Sequence, residues 1–172
     1  MKVLMTILVL VIFITNAAAD CVTNVPSTSG PFDKQSLEGQ LIDRSTGLVW
    51  YRCHLGETFE NGVCSGDAFQ DSWGEALLLA EEFEFGGFDN WRLPNIKELQ
   101  SLVEYACYSP PFEEGSFATV MNFPLWSSTP ELVQTGLFNQ YAYLLSSRGT
   151  TASDQKDETF YAIMVRDLNT PN

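Results

Sequence analysis

The segment WRLPNIKELQ, residues 91–100, decides how this chain is read. Pro94 holds Leu93 in an extended conformation, Asn95 is a strong helix N-cap, and Glu98 follows at capping-box spacing. Ile96, Leu99, Leu102, Val103 and Ala106 then recur at helical period, which predicts a helix with one apolar face running to Cys107. Trp91 reads as a core anchor at a strand-like entry. Arg92 lies between Trp91 and Leu93 and is expected to be partly buried, where a guanidinium needs carboxylate or carbonyl partners. A structural ion pair or network is therefore expected. Charged and polar groups are dense enough here to resemble a catalytic cluster. Trp91, Arg92, Leu93, Pro94, Asn95 and Glu98 nevertheless read together as a structural signature.

Outward from this segment, Ser72 and Glu75 repeat the capping-box spacing. Trp73, Ala76, Leu77, Ala80 and Phe83 form an apolar stripe that predicts a first helix, stopped by Gly86-Gly87. Further upstream, GQLIDRSTGLVWYRC (39–53) predicts a hairpin around an Asp43–Gly47 turn. Residues 20–38 read as an extended arm. Downstream, SPPFEEGSF (109–117) is a proline-punctuated loop and FPLWSSTP (123–130) a short strand closed by Pro130. NQYAYLLSS (139–147) and TFYAIMVRD (159–167) read as a final strand pair around the polar loop RGTTASDQKDE (148–158). The order predicts an α+β fold, two helices packed on antiparallel strands.

The N-terminus reads as a targeting segment. Lys2 gives a basic start, Val3 to Ile14 is almost wholly apolar, and Ala17-Ala18-Ala19 supplies small residues for cleavage after Ala19. The apolar run is short for a membrane span. Asp20 stands where a lipidated Cys21 would need a small residue, so no lipid anchor is expected. The expected divisions are a signal peptide (1–19), an arm (20–38), a domain (39–168) and a tail (169–172). The expected destination is secreted, periplasmic or cell-surface. Cys21, Cys53, Cys64 and Cys107 all lie in the exported part and predict two disulfides. The short loop HLGETFENGV favours Cys53 with Cys64, which leaves Cys21 for Cys107. There is no CxxC spacing and one histidine, so no thiolate metal site is expected.

Composition excludes several functions. There are 22 acidic against nine basic residues, and loss of Lys2 with the leader takes the net charge from −13 to −14. No basic cluster exists to neutralise phosphates, which argues against nucleic acid and anionic membranes, and for the same reason against sulfated polysaccharides. A neutral glycan, a cation or a protein remains open as partner.

Chemistry is sparse. His54 adjoins a disulfide cysteine with no acid or orienting partner in view, and reads as a surface loop residue. Acidic pairs such as Glu81-Glu82 with Glu84, Glu113-Glu114 and Asp157-Glu158 read as a solvated face, since nothing selects a pair at catalytic separation. No catalytic residue and no cofactor is expected. Calcium is the one ion whose chemistry suits the loops GDAFQD (66–71) and GGFDN (86–90), although neither has a dedicated ligand pattern. Asp71 has a competing role at a helix N-terminus. Trp50, Trp73, Trp91 and Trp126 fall within element patterns and read as core. Phe112, Phe117, Phe123 and Phe138 are the loop aromatics that would suit a contact surface.

TGLVWYRC, SWGEALLLAEEF, GFDNWRLPNIKELQSLV, CYSP and LWSSTP occur in an order that resembles the Lcl C-terminal-like family, a bacterial domain of unknown function, over Gly39 to Asp167. The Trp…Ala and Arg-Leu-Pro-x-x-x-Glu pattern is similar, more remotely, to formylglycine-generating-enzyme-like and C-type-lectin-like domains. That likeness implies a lectin-like core. The ending MVRDLN departs from the family's Val-Arg-x-Val-Arg-like strand after one arginine. The resemblance implies an exported or surface protein engaged in adhesion or ligand binding. Sulfated polysaccharide is the ligand associated with the name-giving domain, and the acidic charge here opposes it. The expectation is a secreted or envelope, non-enzymatic binding or adhesion module with a glycan or protein ligand. The alternative is a structural envelope protein whose only partner is another protein.

Overall fold

The computed structural model describes residues 20–22, 24–108, 111–113, 115–119, 121–132 and 140–169. The expected signal peptide, Glu114, Phe138 and most of the tail lie outside them. Among the described residues the strands are β1 (Asp20–Cys21), β2 (Phe32–Asp33), β3 (Gln40–Asp43), β4 (Leu48–His54), β5 (Thr58–Glu60), β6 (Val63–Ser65) and β7 (Gln70–Asp71). Helices α1 (Trp73–Glu81) and α2 (Ile96–Ser101) come next. The chain then forms β8 (Cys107–Tyr108), β9 (Leu125–Pro130), β10 (Tyr141–Leu145), β11 (Thr151–Gln155), β12 (Phe160–Tyr161) and β13 (Ile163–Asp167). The fold is thus mostly β-sheet with two short helices and two disulfides. One sheet has the order β11-β10-β9-β12-β7, another β13-β4-β3-β2, and β1-β8 and β5-β6 are separate pairs.

Strand β4 organises the interior because its sequence, LVWYRCH, is apolar on both sides. Val49, Tyr51 and Cys53 join one cluster with Trp91, Leu93 and Trp126. Leu48 and Trp50, at the alternate positions, join a second with Leu99, Leu102 and Ile163. A strand buried on both faces can serve two cores at once, and each large side chain so buried contributes about 2 kcal/mol. The hairpin into β4 turns on Asp43, whose Oδ1 accepts from the Ser45 N–H at 2.9 Å and whose Oδ2 accepts from the Thr46 hydroxyl at 2.7 Å. Gly47 closes that turn at φ +74, a conformation glycine adopts without steric cost.

Both helices begin as their sequences dictate and end sooner. At α1 the Ser72 hydroxyl accepts from the Glu75 N–H, half of the expected box. The helix stops at Glu81, before Gly86-Gly87, because the Phe83 N–H bonds the Ala80 carbonyl and turns Phe83 into a cluster with Tyr51 and Trp91. At α2 the capping box is complete, yet the helix ends at Ser101. Leu102 and Val103 are buried as expected, but Val103 has left the helix to bridge Phe112, and Ala106 and Cys107 belong to the next turn and β8.

The expected final strand pair is corrected. Tyr141–Leu145 pairs instead with Thr151–Gln155, inside the segment read as a polar loop. TASDQ is a two-faced edge strand alternating exposed and half-buried positions, and its apolar content is too low to signal this. TFYAIMVRD divides at Ala162: β12 pairs with β7 and, in parallel, with β9, whereas β13 pairs with β4. Arg166 in β13 is buried, its guanidinium 3.6 Å from the Phe88 ring centroid, with Nη2 donating to Gln40 Oε1 at 2.8 Å.

The disulfides join Cys21 to Cys107 and Cys53 to Cys64. The first ties the arm to β8, the second ties β4 to β6.

Candidate binding cleft

The last residue of β4 is His54, 2% exposed and paired in register with Ile163. This corrects its reading as a surface loop residue. The chain then turns through Leu55-Gly56-Glu57, a turn closed by the Glu57 N–H on the His54 carbonyl at 3.1 Å. The turn carries the Glu57 side chain back over the histidine. Gly56 is required here: it sits at φ +89, and a Cβ would lie 2.7 Å from the Asp67 carbonyl and 2.8 Å from the Phe69 nitrogen. The segments are held that close by the Phe69 N–H donating to the Leu55 carbonyl at 2.6 Å. Tyr51 pins the far side, its hydroxyl donating to the Glu57 carbonyl at 2.9 Å and accepting from the Phe59 N–H at 3.0 Å.

Glu57 Oε2 accepts from the His54 backbone N–H at 2.9 Å and lies 3.4 Å from His54 Nδ1. Its Oε1 accepts from the Thr119 hydroxyl at 3.0 Å, and Thr119 Oγ1 is 3.3 Å from the same Nδ1. Thr119 is brought in by Arg52, whose carbonyl accepts from Ala118 N–H and whose guanidinium donates to the Ser116 and Gly115 carbonyls. Because the Thr119 proton is directed at Glu57, both neighbours of Nδ1 can only accept, which assigns the histidine proton to Nδ1. Nε2 is then a bare acceptor, buried and without a hydrogen-bond partner among the described residues. Burial lowers the pKa of His54, and Glu57 opposes that shift without overcoming it, so the ring is neutral.

The imidazole packs at 4.9 Å on Tyr161, which in turn stacks at 4.6 Å and 26° on Phe123. Phe123 is 39% exposed. These rings, with His54, Glu57, Asp67 and Thr119, line a cleft of about 440 Å³. Across the ridge formed by Glu57 and Asp67 lies a second, more apolar depression of about 510 Å³, lined by Leu55, Phe69, Leu79 and Phe83.

The signature residues lie apart from this cleft lining. Trp91 is buried, its Nε1 donating to the Phe85 carbonyl at 3.0 Å. Arg92 exchanges backbone hydrogen bonds with Val165 and pairs in bidentate fashion with Glu98. Leu93 is buried, the Pro94 carbonyl accepts from the Ser128 N–H, and Asn95 caps α2. Of the four tryptophans, Trp50, Trp91 and Trp126 are buried, while Trp73 is half-buried beneath Lys156. Phe112, expected at a contact surface, is instead 4% exposed because it fills the second core, and Phe117 packs partly buried against it. Phe123 alone among the described members of that group reaches the cleft.

The acidic residues Glu81, Glu82, Glu84, Asp157 and Glu158 are exposed, and Glu113 pairs with Lys34 at 3.0 Å. In the first loop considered for calcium, Asp71 is engaged by the Ser72 N–H and Asp67 faces the cleft, and in the second Asp89 is exposed. Cys53, Glu57 and Cys64 converge, but both sulfurs are bonded to each other and offer no thiolate. Glu57, Asp67, Thr119 and Tyr161 were not legible as a group. The usable signal was His-x-Gly-Glu, in which the glycine allows a turn that returns the carboxylate to the histidine.

A family model, the Lcl C-terminal domain, matches residues 39–166. No curated protein matches the chain, and no solved structure does.

Proposed function

The chain belongs to the Lcl C-terminal domain family, and from that premise we propose that it is a non-enzymatic, extracytoplasmic binding or adhesion module whose ligand, a glycan or a protein, occupies the His54 cleft. The observation that carries this reading is Phe123, a large apolar ring left exposed at the mouth of a cleft and braced from behind by Tyr161. Exposed rings over polar groups are what ligand sites combine. Nε2 of His54 has no hydroxyl or thiol within hydrogen-bond reach, and no free cysteine occurs among the described residues, which favours binding over nucleophilic catalysis. Two disulfides suit an oxidising compartment outside the cytoplasm. Residues 1–19 would serve as the cleaved leader, and the mature protein would be secreted, periplasmic or cell-surface. A C-type-lectin-like arrangement of α1 and α2 belongs to this reading as a fold-level analogy, and it carries no function by itself.

The test is an array of neutral, charged and amino glycans together with peptides, run with wild type and Phe123→Ala, with calcium and with chelator. Binding that Phe123→Ala abolishes supports the cleft, and equal binding with chelator supports a site that needs no metal. Binding unaffected by Phe123→Ala removes the cleft from consideration. A second reading, a structural envelope subunit, is favoured by Tyr105, Val22 and Val25, which stand exposed near the Cys21–Cys107 disulfide. Silence on the array with co-purification of one fixed envelope partner would establish that alternative.

A further inference from the structure

We propose that the His54 cleft recognises a cationic nitrogen, a protonated amine or guanidinium, on a peptide segment that also carries an apolar side chain. This rests on the binding-module reading and specifies its ligand class.

The hydrogen-bonding inventory of the cleft is weighted towards acceptors. Glu57 engages the Thr119 hydroxyl proton and the His54 backbone N–H, which leaves the Tyr161 hydroxyl as the one side-chain donor of the lining not directed at Glu57. With the ring proton on Nδ1, facing Glu57, Nε2 keeps a lone pair with no partner among the described residues, buried in the wall of the cleft. Asp67 is exposed and its carboxylate makes no hydrogen bond or ion pair among the described residues. A ligand that pairs with the Asp67 and Glu57 carboxylates must bring donors. Charge narrows the choice further. Two carboxylates line the cleft, neither Lys nor Arg does, and the histidine beside Glu57 is neutral. A neutral hydroxyl would satisfy the acceptors and leave that charge uncompensated, whereas an ammonium or guanidinium does both. The outer face of Phe123, whose other face is stacked on Tyr161, adds a π surface suited to a cation. The net charge of −13 raises the local concentration of cations before contact.

The neighbouring depression argues for a peptide over a free amine. Glu57 and Asp67 line both hollows, and Leu55, Phe69, Leu79 and Phe83 line the second. An extended segment crossing the ridge at Gly56 places a basic head against the carboxylates and an apolar side chain on Leu79 and Phe83. A small diamine fills one hollow only.

The experiment is a titration by calorimetry and by amide chemical shifts, using the full mature chain. The probes are a short peptide alternating lysine and leucine, the same peptide with its lysines acetylated, cadaverine, and a neutral oligosaccharide. The expected result is binding of the lysine peptide, shifts confined to the two hollows, about tenfold weaker binding on acetylation, and further weakening by added salt. Asp67→Asn should weaken the lysine peptide about fivefold without changing the melting temperature, since the Asp67 carboxylate holds nothing in the fold. Leu79→Ser should weaken the peptide and leave cadaverine unchanged. Acetylated and unmodified peptides binding equally would overturn the proposal, as would cadaverine binding as tightly as the peptide. The oligosaccharide binding at Phe123 with no response to lysine would also overturn it while leaving the binding module intact. Silence of the cleft towards every probe would count against both.

Discussion

Arg92 and Glu98 form a fork-on-fork ion pair, Nη1 to Oε2 at 2.8 Å and Nη2 to Oε1 at 2.7 Å. The same Oε2 accepts from the Asn95 N–H at 2.7 Å and completes the capping box of α2. Arg92 is also hydrogen-bonded through its backbone to Val165 of β13. One carboxylate therefore caps a helix and fastens it to a strand distant in sequence. Glu98→Gln keeps the volume but loses the charge, and should lower unfolding free energy by about 2 kcal/mol. Arg92→Lys loses the bidentate geometry, and because Arg92 is 40% exposed the cost should be smaller, about 1 kcal/mol. Urea denaturation of the two variants and their double mutant measures the coupling. If Arg92→Lys left stability untouched and abolished ligand binding, the structural role would be wrong.

The two disulfides close loops of very different length, with sequence separations of 86 and 11. Loop-closure entropy then predicts that removing Cys21–Cys107 costs about 4.5 kcal/mol and removing Cys53–Cys64 about 3 kcal/mol. Paired Cys→Ala variants compared by thermal melting test the order. Melting that does not change in strong reductant would show that neither bridge supports the fold.

Legibility in the sequence followed locality. Capping residues act within one turn, so Ser72, Asn95 and Glu98 announced where helices begin. Helix ends depended on distant partners: Phe83 is drawn off α1 by Tyr51 and Trp91, and Val103 leaves α2 to bridge Phe112. The hairpin into β4 was legible because Asp43 and Gly47 encode its turn. The division of TFYAIMVRD between two sheets was not, because strand partners are set by packing over long separations. The cleft was least legible of all. Its residues come from positions 54, 57, 67, 119, 123 and 161, and only His54 and Glu57 are close enough in sequence to suggest a relationship.

Glu104 anchors the N-terminal arm. It is 4% exposed and accepts from the Thr28 N–H at 3.0 Å, the Ala106 N–H at 3.0 Å, and the Ser27, Thr28 and Ser29 hydroxyls. Burial pushes its pKa up, but these hydrogen bonds outweigh it and bring the value from an ordinary 4.5 down to about 2. A depressed carboxylate stabilises the fold above its unfolded pKa, and that contribution is lost as pH falls from 4.5 towards about 2. Glu104→Gln should cost about 2 kcal/mol at neutral pH. The gap between variant and wild type should close on acidification through that window, as read by chemical denaturation. A gap independent of pH would remove the charge from the explanation.

His54 titrates with the opposite consequence for its own charge. Burial lowers its pKa below the ordinary 6.5, against the pull of Glu57. The other titratable groups of its cleft are Asp67 and Tyr161. Folding therefore favours the neutral ring. Above 6.5 both folded and unfolded chains carry neutral histidine and no penalty arises; below it the unfolded chain takes up a proton that the folded chain resists. Wild type should lose stability as pH falls below 6.5, a loss that begins well above the window of Glu104. His54→Gln, which cannot titrate, should lack that part of the slope even though it is less stable at neutral pH through lost packing on Tyr161. Denaturation curves at matched pH values give the difference, and the histidine ring resonances give the pKa directly. A measured pKa above 6.5, or a wild type and variant with parallel pH profiles, would refute the neutral, acceptor-only histidine on which the character of the cleft depends.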